Sequence, residues 1–92
     1  MEKVYSIWKF TLENETAQKI KMPKGAKILS VEIQRNEIVV YAMVNTSIAE
    51  KEQRKFKIIG TGDSMDASIN NYTFLGSVLV QNGDYVFHVF YQ

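Results

Sequence analysis

Hydrophobic and polar residues alternate with a period of two along most of the chain, which is typical of β-strands. The cleanest stretch is residues 28–34, which should turn Leu29, Val31 and Ile33 inward and their polar neighbours outward. Such a strand buries one face and exposes the other. Similar runs rich in β-branched and aromatic residues predict seven strands in all, at residues 4–10, 18–22, 28–34, 37–45, 53–59, 72–80 and 84–91.

Short turns join these predicted strands. Arg35-Asn36 and Asn82-Gly83 lie between apolar runs, and both suit two-residue hairpins because asparagine and glycine accept a positive φ. Gly76 predicts a bulge or a close contact within its strand. Seven short strands at this spacing predict an all-β domain, a small antiparallel sandwich or partly closed barrel spanning residues 1–92.

Two of the predicted strands, residues 37–45 and 84–91, are apolar on both faces. A chain of this size cannot easily bury both faces of two strands, and exposed apolar patches mark contacts. We therefore predict a homo-oligomer, whereas the alternative is a sandwich whose central strands lie under loops. The predicted interface consists of Met43, Phe87, His88, Phe90 and Tyr91, with Tyr41 beside them.

Composition narrows the possible chemistry. The 92 residues are 46% hydrophobic and 23% charged, with 11 Lys and Arg against 10 Asp and Glu, and a net charge of +1. This balance gives no general electrostatic signal for nucleic acid or an anionic membrane. Zero cysteines and one histidine exclude thiolate sites and a multi-histidine metal site within one chain. We expect no cofactor, and because no nucleophile motif occurs, a binding protein rather than an enzyme.

The N-terminal segment alternates in polarity and lacks the apolar stretch of a signal peptide. No window approaches the roughly 20 apolar residues that a membrane helix needs. The expected location is therefore cytoplasmic, with no membrane partner.

One glycine-rich loop has the chemistry of an anion site. Its glycines could point N–H groups at an anion and its hydroxyls could add donors, with nearby cations and stacking tyrosines completing a ligand pocket between subunits. The alternative is a turn capped by an aspartate or serine of the loop. The candidate ligand-binding residues are Gly60, Thr61, Gly62, Asp63 and Ser64 in the loop, the cations Arg54, Lys55 and Lys57, and the tyrosines Tyr5 and Tyr41.

Three other features favour simple structural roles. Flanking glutamates make the lysines near Pro23 (Lys19, Lys21, Lys24 and Lys27) a solvated face rather than a phosphate site. Trp8 is expected in the core, which leaves Tyr5 as the better stacking residue. Apolar neighbours favour packing over catalysis for His88.

Several segments resemble, in order along the chain, a family of small, uncharacterised phage and prophage proteins. They are MPKGAKILSV at residues 22–31, YAMV at 41–44, FKIIGTG at 56–62, YTFLG at 72–76 and VFHVF at 86–90. The resemblance implies no activity or catalytic residue, but it implies a bacterial host. In that setting the expected function is an accessory factor that counters host antiviral defence by sequestering a nucleotide-like signal or blocking a host protein. The alternative is a structural or assembly component of the virion.

Overall fold

Two antiparallel sheets form the protein in a computed structural model that describes residues 4–92. The sheets are not closed into a barrel, so the predicted all-β sandwich is confirmed. A three-stranded sheet has the order β1-β4-β3 and a four-stranded sheet the order β2-β5-β7-β6. The elements are β1 Tyr5–Thr11, β2 Ala17–Pro23, β3 Lys27–Gln34, β4 Glu37–Asn45, β5 Lys51–Gly60, a 3₁₀ helix Ala67–Asn71, β6 Thr73–Val80 and β7 Tyr85–Tyr91.

The core lies between the sheets, where alternate residues of the central strands meet. Strand β4 contributes Val40, Ala42 and Val44, which have no exposed surface, and β5 contributes Phe56. Phe56 is the largest of the fully buried side chains. Because the side-chain period of a strand is two, the residues between these point away from the core.

The outer face of β4 is partly covered within the chain itself. Lys9 Nζ on β1 donates a 2.7 Å hydrogen bond to Gln34 Oε1 on β3, and β4 lies between those two strands. The side chains of Lys9 and Gln34 therefore pass over Val39 on β4. This explains why Val39 is buried although it points away from the core. Tyr41 and Met43, on the same face, stay half-buried.

One detail of the predicted strand at residues 28–34 is corrected. Leu29 was expected inward, but the β3–β4 register shifts between Ile28 and Ser30, so Ile28 is buried and Leu29 is exposed. The Arg35-Asn36 hairpin is confirmed by its two positive φ angles and the pairing that flanks it.

The second hairpin is longer than predicted. The Asp84 N–H donates to Gln81 O, which is the hydrogen bond expected for the predicted two-residue turn at Asn82-Gly83. Gln81 also has a positive φ of 51°, so it cannot continue the strand. Pairing therefore ends at Val80 and Tyr85, and four residues form the loop.

Residues 61–72 form a crossover that lies on the outer face of the four-stranded sheet. Strands β5 and β6 are both antiparallel to β7, so the connection must return along the sheet to begin β6. Lys57 Nζ donates to Ser68 Oγ in the 3₁₀ helix at 2.9 Å. Ile59 is buried although it shares the outward face of Lys57. None of residues 4–92 belongs to a helix that is long and apolar enough to cross a membrane.

Candidate functional site

The Gly60–Ser64 segment (residues 60–64) is a tight turn closed by its own aspartate. Asp63 Oδ2 accepts from the Gly60 N–H at 3.2 Å, and the Asp63 N–H donates to Gly60 O at 3.0 Å. The Thr61 N–H donates to Val86 O at 3.3 Å, while Gly62 supplies the positive φ of 90°. Three N–H groups of the loop are thus occupied, which matches the alternative of a capped turn. Ser64 is exposed.

The end of the sandwich beside this turn is acidic. A depression of about 510 Å³ there is lined by Asp63 and Asp84 together with apolar side chains. A neighbouring depression of about 520 Å³ is lined by Glu13 and Glu37. No lysine or arginine of the described residues lines either one. These carboxylates repel an anion.

Arg54 lies on the core side of β5, away from Lys55 and Lys57. Its Nη1–H donates to Ala26 O at 2.6 Å and its Nε–H to Gln92 O at 2.9 Å. Only 17% of its side chain is exposed, with a Glu52 carboxylate oxygen 3.7 Å away. Arg54 therefore connects the backbone at Ala26 to the backbone at Gln92, and it does not share a face with Lys55 and Lys57.

The remaining predicted residues are divided among separate surfaces. Tyr5, Tyr41 and Met43 lie on the outer face of the three-stranded sheet. Phe87 and Tyr91 point inward and pack against the core. His88 and Phe90 lie on the outer face of the four-stranded sheet, where His88 Nε2 contacts Thr61 Oγ1 at 2.8 Å and His88 Nδ1 contacts Ser77 Oγ at 2.7 Å. A single chain therefore does not bring the predicted ligand set together.

The structure assembles a different cluster, formed by lysines on the outer face of β2 and β5. Lys19 is the direct cross-strand partner of Lys55. Because direct partners share a face and successive residues alternate, the other outward positions follow from the same register. We call this surface the lysine face, and it consists of Lys19, Lys21, Lys51, Lys55 and Lys57.

None of the five ammonium groups forms an ion pair with a carboxylate of residues 4–92. The ion pairs there join Lys24 to Glu50 and Arg54 to Glu52. Lys57 lies near Asp66, whose pKa is lowered by a side-chain hydrogen bond from Ser68, then by the Ser68 N–H and by the charge of Lys57. The positive charge of the lysine face is therefore not balanced by ion pairs of the described residues.

Aromatic rings lie at both ends of the lysine row on β5. The Lys51 ammonium is 5.6 Å from the Trp8 ring centroid, and the Lys57 ammonium is 5.0 Å from that of Tyr72. Trp8 is the direct partner of the buried Ala42, so it shares the inward face of the three-stranded sheet as expected. Because β1 is an edge strand, the ring lies at the open side of the sandwich and is 38% exposed. Rings at these distances attract cations through their π-electrons.

A further aromatic pair continues the row of Lys57 across the sheet. Phe90 is the direct partner of Lys57, and Phe74 is the direct partner of Phe90. The Phe74 and Phe90 ring centroids are 5.3 Å apart, and Phe74 is 54% exposed. The outer face of this sheet thus combines cations with accessible rings.

Part of this site could be predicted from sequence and part could not. Because side chains alternate along a strand, Lys55 and Lys57 lie on one face of β5, and Arg54 and Phe56 lie on the other. The separation of Arg54 from the two lysines could therefore be predicted from the sequence. The meeting of Lys19 with Lys55 was not, since it depends on pairing β2 with β5, which are separated by β3 and β4.

Comparison with known proteins identifies a family. The family model described as "Domain of unknown function (DUF7352)" matches residues 3–92. No curated protein and no solved structure matches the chain.

Proposed function

Because the chain belongs to the DUF7352 family, a domain of unknown function, we propose its role from its own geometry. It is a binding protein for nucleotide-class anions, and the lysine face is the binding surface. The predicted loop of residues 60–64 is replaced in this proposal by the outer face of the four-stranded sheet. Lys55 and Lys57 are kept from the predicted set.

One observation carries the proposal, the direct pairing of Lys19 with Lys55. Like charges directly opposite each other on a sheet are destabilising, whereas opposite charges would contribute stability. Lysines on an edge strand such as β2 also deter sheet-to-sheet aggregation, but β5 lies inside its sheet and has no such need. A like-charge pair that destabilises the fold is expected at a functional site, where a bound anion supplies the negative charge that the pair lacks.

The neighbouring rings favour a nucleotide over a simple phosphate. Trp8 and Tyr72 lie beside the ammonium groups at the two ends of the row. A nucleotide carries a phosphate for an ammonium group and a base whose flat face stacks on an aromatic ring. The surface therefore suits both halves of such a ligand.

The test removes the repelling pair. We expect Lys19→Gln combined with Lys55→Gln to weaken binding of a nucleotide by about 10- to 100-fold, or about 1.4–2.8 kcal/mol. The same change should stabilise the fold by about 0.2–1 kcal/mol, because the like-charge contact is lost. Calorimetric titration with ATP, a cyclic dinucleotide and ADP-ribose measures the first effect, and urea denaturation measures the second.

Lys27→Gln is the matched control, since Lys27 is an exposed lysine of the other sheet. It should leave the affinity unchanged. A loss of binding free energy in the control half as large as that in the double variant would sink the proposal, because each removed charge would then count equally wherever it lies.

The expected resemblance to phage and prophage proteins supports a proposal for the biological role. We propose that the bound anion is a nucleotide-like signal of host defence and that binding sequesters it within the bacterial cytoplasm. Blocking a host protein through the same face would serve the same purpose.

A structural component of the virion is the second candidate, and one observation favours it. The outer face of the three-stranded sheet exposes Ile7, 61% accessible, next to Tyr5, Leu29 and the half-buried Met43. An apolar surface of this kind suits contact between copies of the chain. This role would be favoured if the protein forms a discrete oligomer that Ile7→Lys converts to monomers, and if no nucleotide binds.

A further inference from the structure

The lysine face is longer than a single nucleotide. Lys51 and Lys57 are six residues apart on β5, which corresponds to about 20 Å at the rise of about 3.3 Å per residue in a strand. Lys55 lies between them, and Lys19 and Lys21 widen the row on β2. A mononucleotide holds its phosphates at one end and meets only part of such a row. A polymer presents phosphates along all of it, with about six in 20 Å of a stacked strand.

We propose that the ligand of this face is a single strand of nucleic acid lying along β5, with its phosphates on the lysines and bases on the rings. This inference rests on the proposed function, because it names the ligand of the same surface. It departs from the expectation drawn from the net charge of +1. That total conceals a basic face on one sheet and an acidic end at the 60–64 turn.

The rings select a single strand over a duplex. Tyr72 lies at the Lys57 end of the row, with Phe74 beyond it on the same outer face. Trp8 approaches the Lys51 end from the open side of the sandwich, where its ring is partly exposed. Bases in a duplex stack on one another and cannot reach side chains on a sheet, whereas the bases of a single strand can stack on exposed rings. Since every base has a flat face, the expected binding is sequence-tolerant.

The acidic end sets where the strand stops. Asp63 and Asp84 line the depression beside the Gly60 end of β5, and Asp66 lies in the crossover near Lys57. Phosphates are repelled beyond that point. The strand therefore extends from Lys57 along β5 towards Lys51 and ends near the partly exposed edge of Trp8.

The experiment uses Trp8, the only tryptophan of the chain. An oligothymidylate of about 12 nucleotides, a length within known site sizes, should quench its fluorescence on binding. If about four phosphates are contacted, affinity should fall about 50-fold between about 50 and about 200 mM salt. Lys19→Gln with Lys55→Gln should lower the slope of log K against log salt by about 1.4, and Lys27→Gln should not change it.

A second variant tests base stacking. Tyr72→Ala should weaken oligothymidylate binding by about 5- to 150-fold, the range measured for one stacked base. Fluorescence anisotropy of a labelled oligonucleotide gives the affinity, and the melting temperature shows whether the variant is folded. If Tyr72→Ala fails to fold, the salt slopes and the Trp8 quenching decide the question.

Each outcome has one meaning. Quenching, a salt slope that depends on Lys19 and Lys55, and weaker binding to the matching duplex support the inference. Mononucleotides that bind as tightly as the oligonucleotide, or a duplex that binds equally well, overturn it and leave the proposed function standing. If neither mononucleotides nor oligonucleotides bind, both proposals fail.

Discussion

Phe56→Ala is expected to destabilise the fold by about 3–5 kcal/mol, the usual cost of removing a buried aromatic ring. Phe56 has no exposed surface and is the largest of the fully buried side chains. The change removes apolar contacts and leaves a cavity between the sheets. A domain of this size has a free energy of unfolding of about 5–14 kcal/mol, so the loss is a large share of the total. Urea denaturation followed by Trp8 fluorescence measures it.

Phe74→Ala is the matched control for that variant. Phe74 is also a strand phenylalanine, but it is 54% exposed and its ring packs against that of Phe90. It should cost about 0.5–1.5 kcal/mol, the value of one aromatic pair. Equal costs at Phe56 and Phe74 would contradict the assignment of the core to the space between the sheets.

Arg54→Ala is expected to destabilise the fold by about 2–4 kcal/mol, because two hydrogen bonds from a charged donor are lost. The side chain joins Ala26 O, in the turn after β2, to Gln92 O at the end of the chain. Both carbonyls lose their charged donor in the variant. Thermal and urea unfolding measure the effect.

Lys55→Ala is the neighbouring control: because it removes the like-charge contact with Lys19, it should leave stability unchanged or raise it by up to about 1 kcal/mol. Arg54→Lys should recover part of the loss, since one ammonium group cannot reproduce the two-pronged geometry of a guanidinium. A stable Arg54→Ala protein with impaired nucleotide binding would show instead that Arg54 belongs to the ligand site.

The seven strands and their faces could be predicted from the sequence because a strand's side chains alternate regardless of what it pairs with. The inward Phe56 and Ile58 and the outward Lys55 and Lys57 illustrate this. Leu29 does not follow this rule, because a bulge between Ile28 and Ser30 changes which residues of β3 face inward. Nothing local in the sequence marks that bulge.

The candidate site depends on information that alternation does not contain. Lys19 and Lys55 are far apart in the chain, and only the β2–β5 pairing makes them neighbours. Trp8 is exposed because β1 forms an edge of its sheet, which its own residues do not reveal. The net charge of the sequence is close to zero. This total hides the site, because the fold places lysines on one face and acidic residues at one end.

The location of the bound anion can be measured directly by following backbone amide shifts in NMR spectra while ATP or oligothymidylate is added. The expected result is a set of shifts confined to β2, β5 and the Trp8 region, which the Lys19→Gln and Lys55→Gln double variant moves to about 10- to 100-fold higher ligand concentration. Shifts centred instead on the turn at Gly60 and Asp63, or on the outer face of the three-stranded sheet, would contradict binding at the lysine face.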